Sequence, residues 1–312
     1  MSFRVTGTMV FSRLMSNIRQ STQVLSELQE QMASMRRINR PSDDPMGASR
    51  SQALLSVEND YRQYMDSIDQ ARSLMDFTAG VLETLSDEVV SARSKVLSGI
   101  NPTADASSRR VIASEVDDIL KSIVTEANSS FAGMSVFGGT QTATPPFEIT
   151  SESSFGVEGV AFSGNSGRVR YVVGPNIAVE VNEDPVEVFM PRGVAKGLFD
   201  TLIEIRKVLQ NTDYLPEREQ AEKLSGMFSR MDGIHDDVVR ALGRLGTRSK
   251  ALQIRRDLYE QAQISSTQRR SEMEDADIAD VALRLQNQQT IFQVILSSSS
   301  SMYNSGLTEF LR

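Results

Sequence analysis

From Leu54 to Val96 the chain carries one uninterrupted helical period. Leu54, Val57, Tyr61, Tyr64, Ile68, Ala71, Met75, Thr78, Leu82, Leu85, Val89, Ala92 and Val96 follow one another in steps of three and four, the spacing that lines one face of an α-helix. Asp44 before Pro45 reads as an N-cap with proline at the first helical position, and Gly99-Ile100-Asn101-Pro102 reads as a stop. A helix from about Pro45 to Ser98 spans roughly 80 Å at 1.5 Å per residue. A compact domain of this chain length is much narrower than that, so the element is a rod.

A second stripe answers it. After Pro216, and as far as about Gln263, Leu224, Phe228, Met231, His235, Val238, Leu242, Leu245, Ser249, Leu252 and Tyr259 share one seam. Gly243 and Gly246 lie inside this stretch; each costs about 1 kcal/mol relative to Ala, which points to close helix packing or a local bend. A shorter helix is expected from about Asp105 to Asn128, with Ile112, Val116, Ile119 and Ile123 on the face that packs back on the first rod, and helical period returns at Leu198–Leu209. Between the two rods, Gly133 to Asn182 is rich in Gly, Ser, Thr and Pro. There Arg168–Val173 and Ile177–Val181 flank Gly174-Pro175-Asn176 as a hairpin, in a small β domain of sandwich-like strands whose exit Pro185 and Pro191 mark.

The two ends of the chain match each other. Leu14, Ile18, Ser21, Leu25, Leu28, Met32 and Met35 keep a four-three spacing broken only by Ser21, and Ile278, Leu285, Phe292, Leu296, Tyr303 and Phe310 mark a second stripe. Two seams at the extremities of a folded body describe a subunit that polymerises through paired terminal helices, and these residues, Ser21 and Met35 apart, are the candidate polymerisation seam. Gln289, Gly306 and the serines from Ser297 to Ser301 dilute the C-terminal stripe, so the ends are expected to order fully only against neighbouring subunits. The fold class is therefore mainly α with a β insert: long antiparallel helical rods and terminal coiled-coil helices, with a small β domain between the halves. The expected divisions are 1–42 for the N-terminal coiled-coil helix, 43–140 for the first half of the rod domain, 141–192 for the β insert, 193–271 for the second half, and 272–312 for the C-terminal helix.

Composition removes several functions. A formal net charge of −8 disfavours nucleic acid, whose phosphates need a basic surface. No run approaches the ~20 apolar residues of a membrane span, Met1–Arg19 lacks a secretory signal pattern, and there are no cysteines for disulfides or thiolate metal sites. His235 is the only histidine and sits on an apolar seam, a structural position. Glu272, Glu274, Asp275, Asp277 and Asp280 lack the glycine turn and spacing of a calcium loop, and read as a solvated helix start. Asp43 and Asp44 are explained by capping. Asn128-Ser129-Ser130 and Gly138-Gly139 are too short to carry glycosylation or phosphate binding. No catalytic residue, metal or cofactor is expected.

Three motifs occur in order along the chain. Met35-Arg36-Arg37-Ile38-Asn39-Arg40-Pro41-Ser42-Asp43-Asp44-Pro45 resembles the turn after the first helix of the flagellin superfamily, and its Pro-Ser-Asp-Asp-Pro version is similar to the hook–filament junction branch of that family. Phe131-Ala132-Gly133-Met134-Ser135-Val136-Phe137-Gly138-Gly139-Thr140, leading to Pro145-Pro146-Phe147, is similar to the family's entry into its β insert. Glu272 to Ala282, followed by Gln288-Gln289 and Leu307–Leu311, resembles its C-terminal signature. Met35 stands where the family usually has Gly. Arg37, Ile38, Pro41, Ser42, Asp43, Asp44 and Pro45 are the residues that carry the turn motif.

The resemblance implies a structural protein located in the extracellular flagellum and exported from the cytoplasm without a cleaved signal peptide, by the flagellar type III apparatus and with a cytoplasmic export chaperone. It implies lateral neighbours of the same chain, the first hook–filament junction protein on one side and flagellin on the other, with no nucleic acid and no membrane insertion. A short flagellin forming the filament itself is the alternative. A tip or translocator protein of a virulence type III system is a more distant one, and an enzyme comes last.

Overall fold

The computed structural model describes residues 7–101, 104–190, 196–211 and 214–310, without the side chains of 7, 8, 10 and 300–310. The expectations placed on Pro102, Pro191 and Leu311 and on the side chains of Tyr303, Leu307 and Phe310 lie outside the described residues. Seven helices and six short strands follow one another among those described: α1 (Gly7–Ser34), α2 (Pro45–Ile100), α3 (Ala106–Ala127), β1 (Ser130–Phe131), β2 (Met134–Ser135), β3 (Phe147–Ser153), β4 (Gly156–Phe162), β5 (Arg170–Gly174), β6 (Ile177–Glu180), α4 (Pro185–Phe189), α5 (Leu198–Gln210), α6 (Glu217–Glu274) and α7 (Ile278–Phe310). The fold is mainly α with a β insert. No described helix is long and apolar enough to cross a membrane.

The chain divides into two compact units, Met1–Tyr61 with Gln261–Arg312, and Arg62–Glu260. In the second, central unit, α2 and α6 run antiparallel. Arg256 Nε bonds Asp69 Oδ1 at 2.8 Å, Ser249 Oγ bonds Asp76 Oδ1 at 3.2 Å, and Ser86 Oγ meets His235 Nε2 at 3.2 Å. Every stripe residue of α2 from Ile68 to Val96 is buried. His235 is thus a packed structural residue with a hydroxyl partner. Gly243 and Gly246 are different: nothing lies within 4 Å of a Cβ built at either. Of the close packing or local bend expected at these glycines, the close packing is not made among the described residues.

Helix α3 returns along α2, with Lys95 beside Glu115 at 2.9 Å and Ser122 Oγ bonded to Glu88 Oε1 at 2.8 Å. Asp105 caps it, accepting from Ser108 N, and Asn128 closes it. Asn128 then does a second job: its side-chain amide donates to Phe147 O and accepts from Phe147 N, at 2.8 and 2.9 Å, holding the start of β3 as a neighbouring strand would.

The β region is not a sandwich. It consists of three antiparallel ribbons of two strands each, β1–β2, β3–β4 and β5–β6. Two strands make a marginal sheet alone, so each longer ribbon is fastened to helices instead. Phe147 at the start of β3 joins Phe162, Phe189 and Phe199 in a ring cluster with centroids 4.8–5.1 Å apart. Tyr259 of α6 donates its hydroxyl to Val173 O at 3.0 Å, pinning β5. The β5–β6 turn places Asn176 at φ 58°, a left-handed position that Asn tolerates after Pro.

The β3–β4 tip is held by a buried charge network. Arg206 of α5 is 1% exposed, and it donates to the Phe155 carbonyl and, at 3.4 Å, to Asp117 Oδ1 of α3. Asp117 Oδ1 also accepts from Val157 N at 2.8 Å, and Lys121 lies 3.3 Å from Oδ2. Gly156, at φ 114°, is required twice here. Its backbone is one that side chains rarely adopt, and a Cβ would come within 2.2 Å of Arg206 Nη1 and Asp117 Oδ1.

Candidate assembly interface: the terminal hairpin and its joint

The terminal unit is built from the two ends of the chain. Helices α1 and α7 pack antiparallel on one another, and the apolar spacing in each explains the contact. Leu14, Ile18, Leu25, Leu28 and Met32 are half-buried on α1; Leu285 and Phe292 are half-buried on α7. Ile278 and Leu296, expected on the same seam, are exposed, and Val281 and Ile295 take the inward places instead. Angular position explains the change, because pairing through Gln288 turns the buried stripe of α7 toward 281, 288 and 295.

Ser21, which breaks the apolar stripe of α1, is buried and is where the register is set. Gln288 Nε2 donates to Ser21 Oγ at 2.9 Å and to Ser21 O at 3.3 Å. One polar pair inside an otherwise apolar seam penalises every other register, since a slip would leave the buried Ser21 hydroxyl and the half-buried Gln288 amide without each other. By spacing alone Ser21 is a break in the stripe, and Gln288 stands out only as part of the C-terminal motif.

A backbone clasp closes the base of the hairpin. Arg36 and Asp275 form an antiparallel bridge, with Arg37 N donating to Glu274 O at 2.6 Å and Ala276 N to Met35 O at 3.0 Å. To reach it, Met35 adopts φ 58°. This left-handed value costs a side-chain-bearing residue roughly 1–2 kcal/mol and glycine almost nothing. Met35→Gly, at this exposed position, is therefore expected to stabilise the terminal unit by about 1 kcal/mol, seen as slower amide exchange at residues 34–38.

The turn motif is organised around its two aspartates. Asp43 Oδ2 accepts from Arg40 N at 2.8 Å and Asn39 N at 3.1 Å, while Asp43 N donates to Arg40 O across a turn that has Pro41 at its first central position. Ser42 Oγ adds a bond to Asp43 Oδ1 at 3.4 Å. Asp44 caps α2 by accepting from Gly47 N at 2.9 Å, with Pro45 starting the helix as expected. Arg37 ties cap to clasp, bonding Asp44 Oδ2 and, at 2.8 Å, Met273 O. Ile38 is buried beneath, and Gly47 leaves it room: a Cβ there would lie 2.7 Å from Ile38 Cδ1.

Both carboxyls are held below their ordinary value of 3.8, chiefly by the backbone N–H of Arg40 for Asp43 and of Gly47 for Asp44. Asp105, bonded foremost by the Ser108 side chain, falls to about 2. A depressed folded-state value adds stability above the unfolded value and loses it as pH falls through the folded one. The caps are therefore expected to keep full effect at neutral pH and to weaken below about pH 4. Following Asp43, Asp44 and Asp105 carboxyl shifts between pH 2 and 6 checks this; midpoints at or above 3.8 would contradict it.

Beneath the clasp the seam turns polar. Val57, expected on the buried stripe, is exposed, and Ser51 and Glu58 are buried in its place. Arg270 Nε bonds Glu58 Oε1 at 3.1 Å and Nη1 bonds Glu274 Oε2 at 3.2 Å; Ser51 donates to Glu274 Oε1, and Arg36 lies 3.8 Å from Glu274. The remaining acids of the cluster have local tasks. Asp277 caps α7 by accepting from Ala279 N and Asp280 N, Asp280 pairs with Arg284 at 2.8 Å, and Glu272 accepts from Gln268 at 3.2 Å.

Paired terminal helices on a turn-and-clasp base, with a β insert between two long helices, give a pattern that can be compared with known proteins. Residues 5–142 match the bacterial flagellin N-terminal helical region. Flagellar hook-associated protein 3 of Salmonella typhimurium is 23% identical over 99% of this chain and 100% of its own length. The chain resembles flagellar hook-associated protein 3 from end to end. Solved structures agree on the fold. A Vibrio parahaemolyticus protein assigned as flagellar hook-associated superposes with a TM-score of 0.67 at 19% identity, covering 75% of this chain and 100% of its own. Hook-associated protein 3 of Legionella pneumophila gives a TM-score of 0.61 at 14% identity, covering 71% and 98%.

Proposed function

We propose that this chain is a structural protein of the bacterial flagellum, without catalytic activity, that forms the junction layer between the hook and the flagellin filament. The observation that carries the reading is the unbroken likeness to flagellar hook-associated protein 3 across 99% of the chain, which includes both terminal helices as well as the β insert. The geometry supports it: the polar contacts of the terminal unit are spent on caps, clasp and register. In this reading, 1–42 and 272–312 line the inner part of the axial structure, 43–140 and 193–271 form the helical body, and 141–192 faces outward. Its neighbours are further copies of itself, the first hook–filament junction protein and flagellin, and it travels from the cytoplasm with an export chaperone. The seam residues Leu14, Ile18, Leu25, Leu28, Met32, Ile278, Leu285, Phe292, Leu296, Tyr303 and Phe310 hold the terminal helices in that assembly, some by closing the hairpin and others by facing neighbours.

A short flagellin is the second reading, favoured by the match of residues 5–142 to the flagellin N-terminal helical region. Deletion of the gene separates the two. The junction role predicts intact hooks and flagellin released unpolymerised into the medium, and normal filaments would sink it.

A further inference from the structure

Within the terminal unit, α2 turns its less apolar side inward. Leu54 and Tyr61 are one heptad apart and mark a line along the helix. At about 100° per residue, Arg50 and Val57 lie on one side of that line, and Ser51 and Glu58 lie on the other. The heptad position of Val57 is the one that Ala71 and Thr78 occupy farther along α2, and both of these are buried. An apolar seam continued from them runs on the Val57 side. The structure takes the other side: Ser51 and Glu58 are buried, whereas Val57 is 38% exposed and Arg50 is exposed.

This arrangement is not a deep minimum. Desolvation of Glu58 and Arg270 offsets much of their attraction, so the pair adds little net stability over an apolar contact. Opposite them, Ser266 of α6 is buried and its hydroxyl has no hydrogen-bond partner among the described residues. Two faces of α2 thus compete for one place, and they share Leu54 and Tyr61.

We propose that the joint of the terminal unit is a two-position device, in which residues 50–61 of α2 turn by about 50° against α6. In the second position Leu54 and Tyr61 stay in the seam, Val57 replaces Glu58, and Arg50 replaces Ser51 beside Glu274. Glu58 moves out to water, so neither position strands a charge. Arg270 serves both: it keeps its bond to Glu274, made at 3.2 Å, and its methylene stem covers Val57 once Glu58 has left. The backbone clasp and the Ser21–Gln288 pair are made without this stretch of α2 and stay closed throughout. Packed seams of this kind have discrete arrangements rather than a continuum, and a partner that binds one position better than the other selects it. The device lies within the terminal unit and works the same whatever the chain assembles into.

The chain has no native cysteine, so paired nitroxide labels on introduced cysteines can report the turn in the full-length protein. One label sits at Gln268→Cys, on the side of α6 away from the seam, and the other at Asn59→Cys or Asp60→Cys; all three positions are exposed. Turning α2 toward its Val57 side carries Asp60 nearer to α6 and Asn59 farther from it, by up to about 4 Å on a helix of roughly 5 Å radius. Simple loosening of the joint lengthens both distances. Glu58→Lys, which sets a second cation beside Arg270 in the observed position only, is expected to shorten the Asp60 distance and lengthen the Asn59 distance while residues 35–58 keep their slow amide exchange. Unchanged distances, lengthening of both, or lost protection in this variant would overturn the two-position joint. Glu58→Gln keeps the shape and removes the charge, and is expected to show both sets of distances; the original set alone would count against the device. Adding Val57→Asn to Glu58→Lys is expected to abolish the shift and the protection together, and a shift that survives it would show that Val57 is not the residue turned in.

Discussion

Arg206→Ala is expected to destabilise the central unit by about 3–5 kcal/mol. The guanidinium is 1% exposed and the Asp117 side chain 10%, so truncation takes the buried cation away from a carboxylate that keeps only the half-exposed Lys121 and the Val157 N–H. It also leaves the Phe155 carbonyl with one donor fewer, Gln210 Nε2 remaining at 2.8 Å. The loss should appear as faster amide exchange in α3, α5 and the β3–β4 ribbon. Removing both charges gives the control: in Arg206→Met with Asp117→Asn, the Asn oxygen can still accept from Val157 N, and the loss should be smaller than in Arg206→Ala. A double variant less stable than the single one would refute the account of a stranded charge.

Arg270→Ala should have a comparable effect in the terminal unit. Glu58 is 4% exposed, and its hydrogen bond is the largest influence raising the Arg270 guanidinium above its usual value. Without Arg270, Glu58 is buried unpaired and Glu274 loses one of its partners, at a cost of about 3–5 kcal/mol. The expected result is loss of exchange protection at residues 35–58 and 270–281, with α3 and α5 unchanged, and cells that swim poorly although the chain is exported. Unchanged protection around the clasp would show that the network does not hold the joint.

The two sites also show what hydropathy can and cannot reveal. From Ile68 to Val96 the stripe is legible because one apolar period meets one apolar partner. It fails at Val57, where Ser51 and Glu58 turn inward: only a partner more than 200 positions away, Arg270 for Glu58 and Glu274 for Ser51, makes burying them tolerable. Arg206 and Asp117 lie 89 positions apart and look like ordinary surface charges until the fold joins them. The Asp44 cap was readable because capping is local. The clasp was not, since a backbone bridge between 36 and 275 has no side-chain signature beyond the misplaced Met35. Ser21 and Gln288 are individually defects in their stripes and become a register only as a pair. The β segment was recognisable as strand chemistry, but whether ribbons fasten to helices or to each other depends on Asn128, Tyr259 and Arg206, all outside it.

The central claim is that the paired terminal helices belong to a junction layer and not to the filament. Gold labelling of an epitope inserted at the exposed β5–β6 turn, between Pro175 and Asn176, on flagella isolated intact, tests it most directly. The account predicts label confined to a single band where the hook meets the filament; label distributed along the filament would contradict it.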